Sequence, residues 1–172
     1  MQTLSPDHWS LRGRISVVHG DDSWSGSLRW QHHPDGDELT IRDPVGRTRL
    51  RASSWPLLDS DRAATLQIAG EAPITGRDFQ SILESITHLS VPFQQLTDWV
   101  TGRANADTRA EITNDPDSGR VAKIEQTGWV IDYPEYRLEE TLFLPRKITL
   151  HNDDTRIRLV ITRWQLLPAR KR

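Results

Sequence analysis

From Leu11 to Ile68 apolar and polar residues alternate with a period of two, the spacing of strands that bury one face. Ile15 and Val17 alternate with Arg14 and Ser16, and Trp24, Gly26, Leu28 and Trp30 alternate with Ser25, Ser27 and Arg29. These segments read as neighbouring antiparallel strands joined through Gly20-Asp21-Asp22. Pro34-Asp35-Gly36-Asp37 supplies the next turn, because such residues tolerate turn dihedrals or hydrogen-bond their own backbone. Glu38 to Arg42, Arg47 to Ala52 and Thr65 to Ala69 continue the meander, with Leu39, Ile41, Leu50, Leu66 and Ile68 directed inward.

The period changes between Ala72 and Gly102. Phe79, Ile82, Leu83, Ile86 and Leu89 recur at helical spacing and form one apolar stripe. Thr75 is placed to cap this helix, with Asp78 approximating a capping box, and Pro92 ends it. A second short helix is expected from Phe93 to Thr101, presenting Leu96, Trp99 and Val100 before Gly102 stops it. After a turn-rich stretch through Asn114-Asp115-Pro116-Asp117-Ser118-Gly119, alternation returns in Val121 to Gln126, Trp129 to Tyr133, Lys147 to His151 and Arg156 to Trp164. Trp129, Ile131 and Tyr133 share one side, and Ile157, Leu159 and Ile161 share one side. About nine to eleven strands interrupted by one helical segment predict a mainly β fold: a curved sheet or unclosed antiparallel barrel with helices laid over its concave face.

A length of 172 residues suits one domain, and no internal repeat or linker divides it. The net charge is -2, so nothing in the balance recruits nucleic acid. No window approaches the roughly 18 to 20 consecutive apolar residues of a membrane-spanning helix. Cysteine is absent, which removes disulfides, thiolate metal sites and a thiol nucleophile. Seven tryptophans stand against three phenylalanines and two tyrosines in a chain only 35% hydrophobic, so the apolar material sits in large rings that either line a cavity or pack a core.

Candidate chemistry is sparse. No phosphate loop, nucleophile elbow or paired-histidine zinc motif is present, and no catalytic residue, metal or cofactor is expected. His32 and His33 are adjacent and would point to opposite faces of a strand; with Asp35 and Asp37 they read as a solvated turn in preference to a loose metal site. Asp153-Asp154 and Glu139-Glu140 read as solvated loops, and Arg170-Lys171-Arg172 as a solubilising end that could touch anionic lipid.

Several short motifs occur in a consistent order: Gly13-Arg14-Ile15, Ser27-Leu28-Arg29-Trp30-Gln31, Asp43-Pro44-Val45-Gly46, Val91-Pro92-Phe93 with Leu96, Trp99-Val100-Thr101-Gly102-Arg103, Gln126-Thr127-Gly128-Trp129-Val130-Ile131-Asp132-Tyr133, and Leu144-Pro145 before the strand that ends at Trp164. In this order and spacing, from about Leu11 to Trp164, the chain resembles the LolB family of outer-membrane lipoprotein receptors. The resemblance implies an unclosed barrel with a helical lid over a hydrophobic cavity. Such a cavity would receive lipoprotein acyl chains from the periplasmic carrier LolA and pass them to the inner leaflet of the outer membrane, the protein acting as a monomer without cofactors.

On that reading the candidate cavity residues are Ile15, Val17, Leu28, Trp30, Leu39, Ile41, Leu50, Leu66, Ile68, Phe79, Leu83, Ile86, Leu96, Trp99, Trp129, Ile131, Tyr133, Leu159 and Ile161. The resemblance also marks Pro44, Val45 and Gly46 as a membrane-insertion loop, with Val45 where the family usually carries leucine. Taken from the residues alone, this tight turn favours a valine tucked back onto the sheet; the resemblance favours protrusion. It further implies an acylated N-terminal cysteine at the periplasmic face of the outer membrane. Either that residue was cut away and Met1 put in its place, which the polar lead-in Gln2 to His8 favours, or the chain is an unanchored variant. Two other readings share the pattern: a periplasmic carrier or binder of another lipid or glycolipid, and a structural β-domain with a filled core.

Overall fold

The computed structural model describes residues 8–56, 62–76 and 92–167. Eleven strands and one short helix lie among them: β1 Trp9–His19, β2 Asp22–His33, β3 Gly36–Arg42, β4 Thr48–Pro56, β5 Arg62–Ile68, β6 Ile74–Gly76, α1 Phe93–Trp99, β7 Ala110–Asn114, β8 Val121–Gln126, β9 Trp129–Glu139, β10 Leu142–His151 and β11 Thr155–Leu166. The strands form one open antiparallel sheet in the order β6-β5-β4-β3-β2-β1-β11-β10-β9-β8-β7. Strands β1 to β6 neighbour one another in sequence, as do β7 to β11; the first strand lies beside the last at the centre, and β6 and β7 take the two edges. The mainly β, unclosed architecture is the one the alternation predicts.

The chain divides into two compact units. One contains residues 1–13, 26–91 and 163–172, the other residues 14–25 and 92–162. In the first unit, antiparallel register aligns apolar positions across strands, as a period-two pattern requires. One row runs Leu28, Ile41, Leu50, Ile68 and the next Trp30, Leu39, Ala52, Leu66, Ile74. Trp30, Ala52 and Leu66 are buried, whereas Leu39, Ile41, Leu50 and Ile68 are half-buried. Trp9 anchors this core, edge-on to Trp30 at 4.9 Å and to Trp164 at 5.3 Å between ring centroids, a geometry in which the positive ring edge meets the negative face.

The second unit has the equivalent row Ile124, Ile131, Leu150, Ile157, all buried, with Ile148 and Leu159 paired beside it. Helix α1 packs Phe93 and Trp99 inward. Gly102, at φ +83°, ends it in the left-handed conformation that glycine adopts without a Cβ clash, and its N–H donates to the Trp99 carbonyl at 3.0 Å.

Four expectations need correction. Thr75 does not cap a helix: it sits in β6 opposite Thr65, since a β-branched residue flanked by Ile74 and Gly76 can extend the sheet by one more strand. The helix expected after it, with Phe79, Ile82, Leu83, Ile86 and Leu89, lies outside the described residues. Trp24, in phase with Leu28 and Trp30 on β2, is 41% exposed and not buried as they are. Asp37 is not in a solvated turn but buried on β3. Ala110–Asn114 is a strand and not turn-rich coil, although its sequence Ala-Glu-Ile-Thr-Asn carries one large apolar residue and forms an edge.

Candidate functional site

The connection between β3 and β4 is held by side-chain and backbone hydrogen bonds at once. Asp43, buried at the base, accepts from the backbone N–H of Val45 at 3.1 Å and of Arg47 at 2.9 Å through Oδ1. The Gly46 N–H donates to the Asp43 carbonyl at 2.9 Å, and the Asp43 N–H donates to the Arg47 carbonyl at 2.9 Å. Pro44 supplies the φ of the first central turn position, and Gly46, at φ +87°, takes the left-handed geometry that lets the chain re-enter β4. This arrangement leaves Val45 at the tip, 74% exposed, the most exposed of the large apolar residues described. An exposed valine on a turn this well tied presents a fixed apolar point to its surroundings.

Two polar clusters set the shape of the apolar faces. In the first unit, Asp37 Oδ1 accepts from the Trp30 indole N–H at 2.9 Å and lies 2.6 Å from His32 Nδ1. In the second, Gln126, only 3% exposed, joins five groups on three residues. Its Oε1 accepts from the Trp99 indole at 2.8 Å and from the Asn105 N–H at 3.0 Å. Its Nε2 donates to the carbonyls of Asn105 at 2.8 Å and Thr108 at 3.0 Å, and to Thr108 Oγ1 at 2.7 Å. Tyr133 donates to the Trp99 carbonyl, and burial pushes its phenol well above the usual tyrosine range. Tyr136 donates to the Val121 carbonyl at 2.6 Å and is pushed up to about 12, chiefly by burial. These bonds fasten the end of α1 and the following loop to β8 and β9.

The candidate cavity residues fall into three groups. Val17, Leu28, Trp30, Leu66, Trp99, Trp129, Ile131, Tyr133, Leu159 and Ile161 are buried. Ile15, Leu39, Ile41, Leu50, Ile68 and Leu96 are half-buried. Phe79, Leu83 and Ile86 lie outside the described residues. The sequence reading missed the structural roles of Asp37 and Gln126, for which the only signal was a polar residue at a position whose strand neighbours are apolar.

Solved structures of low sequence identity share this fold. A putative outer membrane lipoprotein-sorting protein domain from Vibrio parahaemolyticus superposes with a TM-score of 0.61 at 9% identity, covering 97% of this chain and 88% of that one. A LolA superfamily protein from Nitrosomonas europaea gives a TM-score of 0.57 at 13% identity, covering 96% and 88%. Sequence then narrows the class. The family model described as outer membrane lipoprotein LolB matches residues 7–164. The outer-membrane lipoprotein LolB of Pseudomonas syringae pv. syringae (strain B728a) is 30% identical over 164 residues, covering 95% of this chain and 77% of the relative. That of Marinomonas sp. (strain MWYL1) is 32% identical over 160 residues, covering 92% and 80%. The chain belongs to the LolB family.

Proposed function

We propose that this protein accepts acylated lipoproteins from a soluble periplasmic carrier of the LolA type and inserts them into the outer membrane, working as a monomer at its periplasmic face, where an N-terminal lipid anchor that this sequence does not contain would hold it. Family membership supports the transport role and the outer-membrane association. The finer reading rests on one observation, the solvent-held Val45 at the tip of a braced turn.

The energetics explain why such a step needs a protein. At about 0.8 kcal/mol per methylene, each long acyl chain costs on the order of 10 kcal/mol to expose to water. A receptor therefore has to offer apolar surface before the carrier lets go, and then surrender the chains to the bilayer. The half-buried row Ile41, Leu50 and Ile68, with Leu39 beside it, is the described surface best suited to meet an acyl chain. The buried residues Trp30, Leu66, Ile131 and Ile161 would back such a surface. Movement between apolar environments breaks no covalent bond and asks for no nucleophile.

The test mixes the protein with a LolA-type carrier loaded with lipoprotein, then adds liposomes. Wild type should strip the carrier and load the liposomes. Val45→Glu should still strip the carrier but load liposomes at least about tenfold more slowly, since it loses up to roughly 1.5 kcal/mol of apolar insertion and adds a charge. Cargo that stays on the carrier with the wild-type protein refutes the function. Equal loss of stripping and loading in the variant refutes the role of the turn.

A further inference from the structure

The solvent side of the sheet in the first unit is basic. Arg12 on β1, Arg29 on β2, Arg42 on β3, Arg51 on β4 and Arg163 on β11 are all exposed. By strand alternation they stand opposite the face that carries Trp9, Leu28, Trp30 and Leu50. Glu38 is the one acidic residue at an outward strand position there among the described residues. Arg12, Arg29 and Arg163 meet Ser10, Gln31 and Gln165 around a recess of about 90 Å³ whose lining includes no carboxylate.

Three guanidinium groups around one recess repel one another, and an anion between them reverses that term. The lining is rich in donor groups, three guanidinium groups together with two side-chain amides and a hydroxyl. Tetrahedral phosphate oxygens accept from several directions at once, and guanidinium binds them in pairs. The chain as a whole carries a net charge of -2, so it has no general attraction for an anionic surface, and a segregated basic face supplies one locally.

Continuity with the braced turn selects a membrane as the source of phosphate. Arg42 closes β3 three residues before Val45, and Arg47 follows two residues after it. At about 3.3 Å per strand residue, Arg42 stands at most roughly 10 Å behind the tip. The polar headgroup layer of each leaflet is roughly 5–8 Å thick. A tip that reaches hydrocarbon brings the arginines behind it to phosphate depth, and a sheet leaning on this side lays Arg29, Arg51 and the recess against the headgroups.

We infer that this arginine face docks on the phosphates of anionic phospholipids, with the recess between Arg12, Arg29 and Arg163 holding one headgroup phosphate. The inference rests on the membrane-delivery reading above, but its test requires no cargo. Binding of the full chain to vesicles of phosphatidylcholine containing phosphatidylglycerol should exceed binding to phosphatidylcholine alone and should fall in high salt. The triple variant Arg12→Gln, Arg29→Gln, Arg163→Gln should lose on the order of a hundredfold in partition coefficient, about fivefold per arginine. The matching triple lysine variant, which keeps the charge, should retain most of the binding. Equal binding to both vesicles overturns the inference, as does a folded glutamine variant that binds like wild type. If that variant binds vesicles normally yet no longer strips a loaded carrier, the face docks the carrier protein instead. Stripping of the carrier by wild type, measured without vesicles, tests the transport reading separately.

Discussion

Replacing Gln126 by leucine keeps the side-chain size close and removes the hydrogen bonds that tie Trp99, Asn105 and Thr108 to β8. The Trp99 indole N–H is left without an acceptor in a site from which water is excluded, since Trp99 is 0% exposed. A buried donor stranded in this way costs about 1–3 kcal/mol. Asn105 is half-buried and Thr108 exposed, so water can replace most of their lost bonds, and the loss at each of these two residues comes to only about 0.5–1.5 kcal/mol net. Leucine returns about 1 kcal/mol through added apolar burial, which leaves a net loss of about 3 kcal/mol. With a urea m-value of about 2 kcal/mol/M, the unfolding midpoint should fall by about 1.5 M with the slope unchanged. A fall below about 0.5 M would refute the view that this one amide holds the segment in place. Gln126→Glu sharpens the test, because it keeps the acceptor and loses the donor. Its carboxylate would face the Asn105 and Thr108 carbonyls, so its folded pKa is raised and the neutral form is the one the fold tolerates. The variant should therefore lie closest to wild type in acid and lose ground as pH rises above the unfolded value of about 4.3. A deficit that does not change with pH refutes that account.

Three further outcomes follow from particular contacts. The two tyrosines, Tyr133 and Tyr136, are both pushed upward by burial, so no phenolate absorbance should develop near pH 10 while the protein is native; their stabilising contribution is complete below the unfolded pKa of about 10 and fades as pH rises through the folded values, the lower of them about 12. A tyrosine titrating near 10 in the folded protein would contradict this. Asp37→Ala strands the Trp30 indole and removes the partner of His32, and should cost about 2–3 kcal/mol, seen as a Tm lower by about 5–10 °C. Asp43→Ala frees the Val45 and Arg47 N–H groups, and should raise hydrogen exchange at both while slowing liposome loading in the direction of Val45→Glu.

Strand content was legible wherever one face was strongly apolar. Leu28 and Trp30, and Ile157, Leu159 and Ile161, announce their faces because every second residue is large and greasy, and the register of the sheet follows that rhythm. The pattern failed where burial is not paid in hydrocarbon. Asp37 and Gln126 look like surface residues in sequence, yet each is buried because a nearby indole N–H needs an acceptor. β7 was invisible because an edge strand makes its backbone bonds on one side and exposes most of its side chains. Thr75 was misassigned because one β-branched residue beside a helical period carries little information about which side of the boundary it occupies. The Asp43-Pro44-Val45-Gly46 turn could be located by its proline and glycine, but the exposure of Val45 depends on the two N–H groups that Asp43 ties down, and side-chain direction at a turn tip is not encoded by alternation.

The meeting of β1 with β11 reaches beyond architecture. The Leu167 N–H donates to the His8 carbonyl, and Trp9 rests against Trp164; at the other end of the same pair, the Gly20 N–H donates to the Asp154 carbonyl and His19 lies 2.8 Å from Thr155. The earliest strand to be made has to wait for the latest before its second side is paired. Until then one long ladder of N–H and C=O groups stays open to any stray strand. Loops of such length close slowly, and folds dominated by distant contacts assemble slowly. A polypeptide with this wiring cannot mature piecemeal as it is synthesised, and a nascent chain ending before Thr155 should be a client for holding chaperones rather than a smaller working protein.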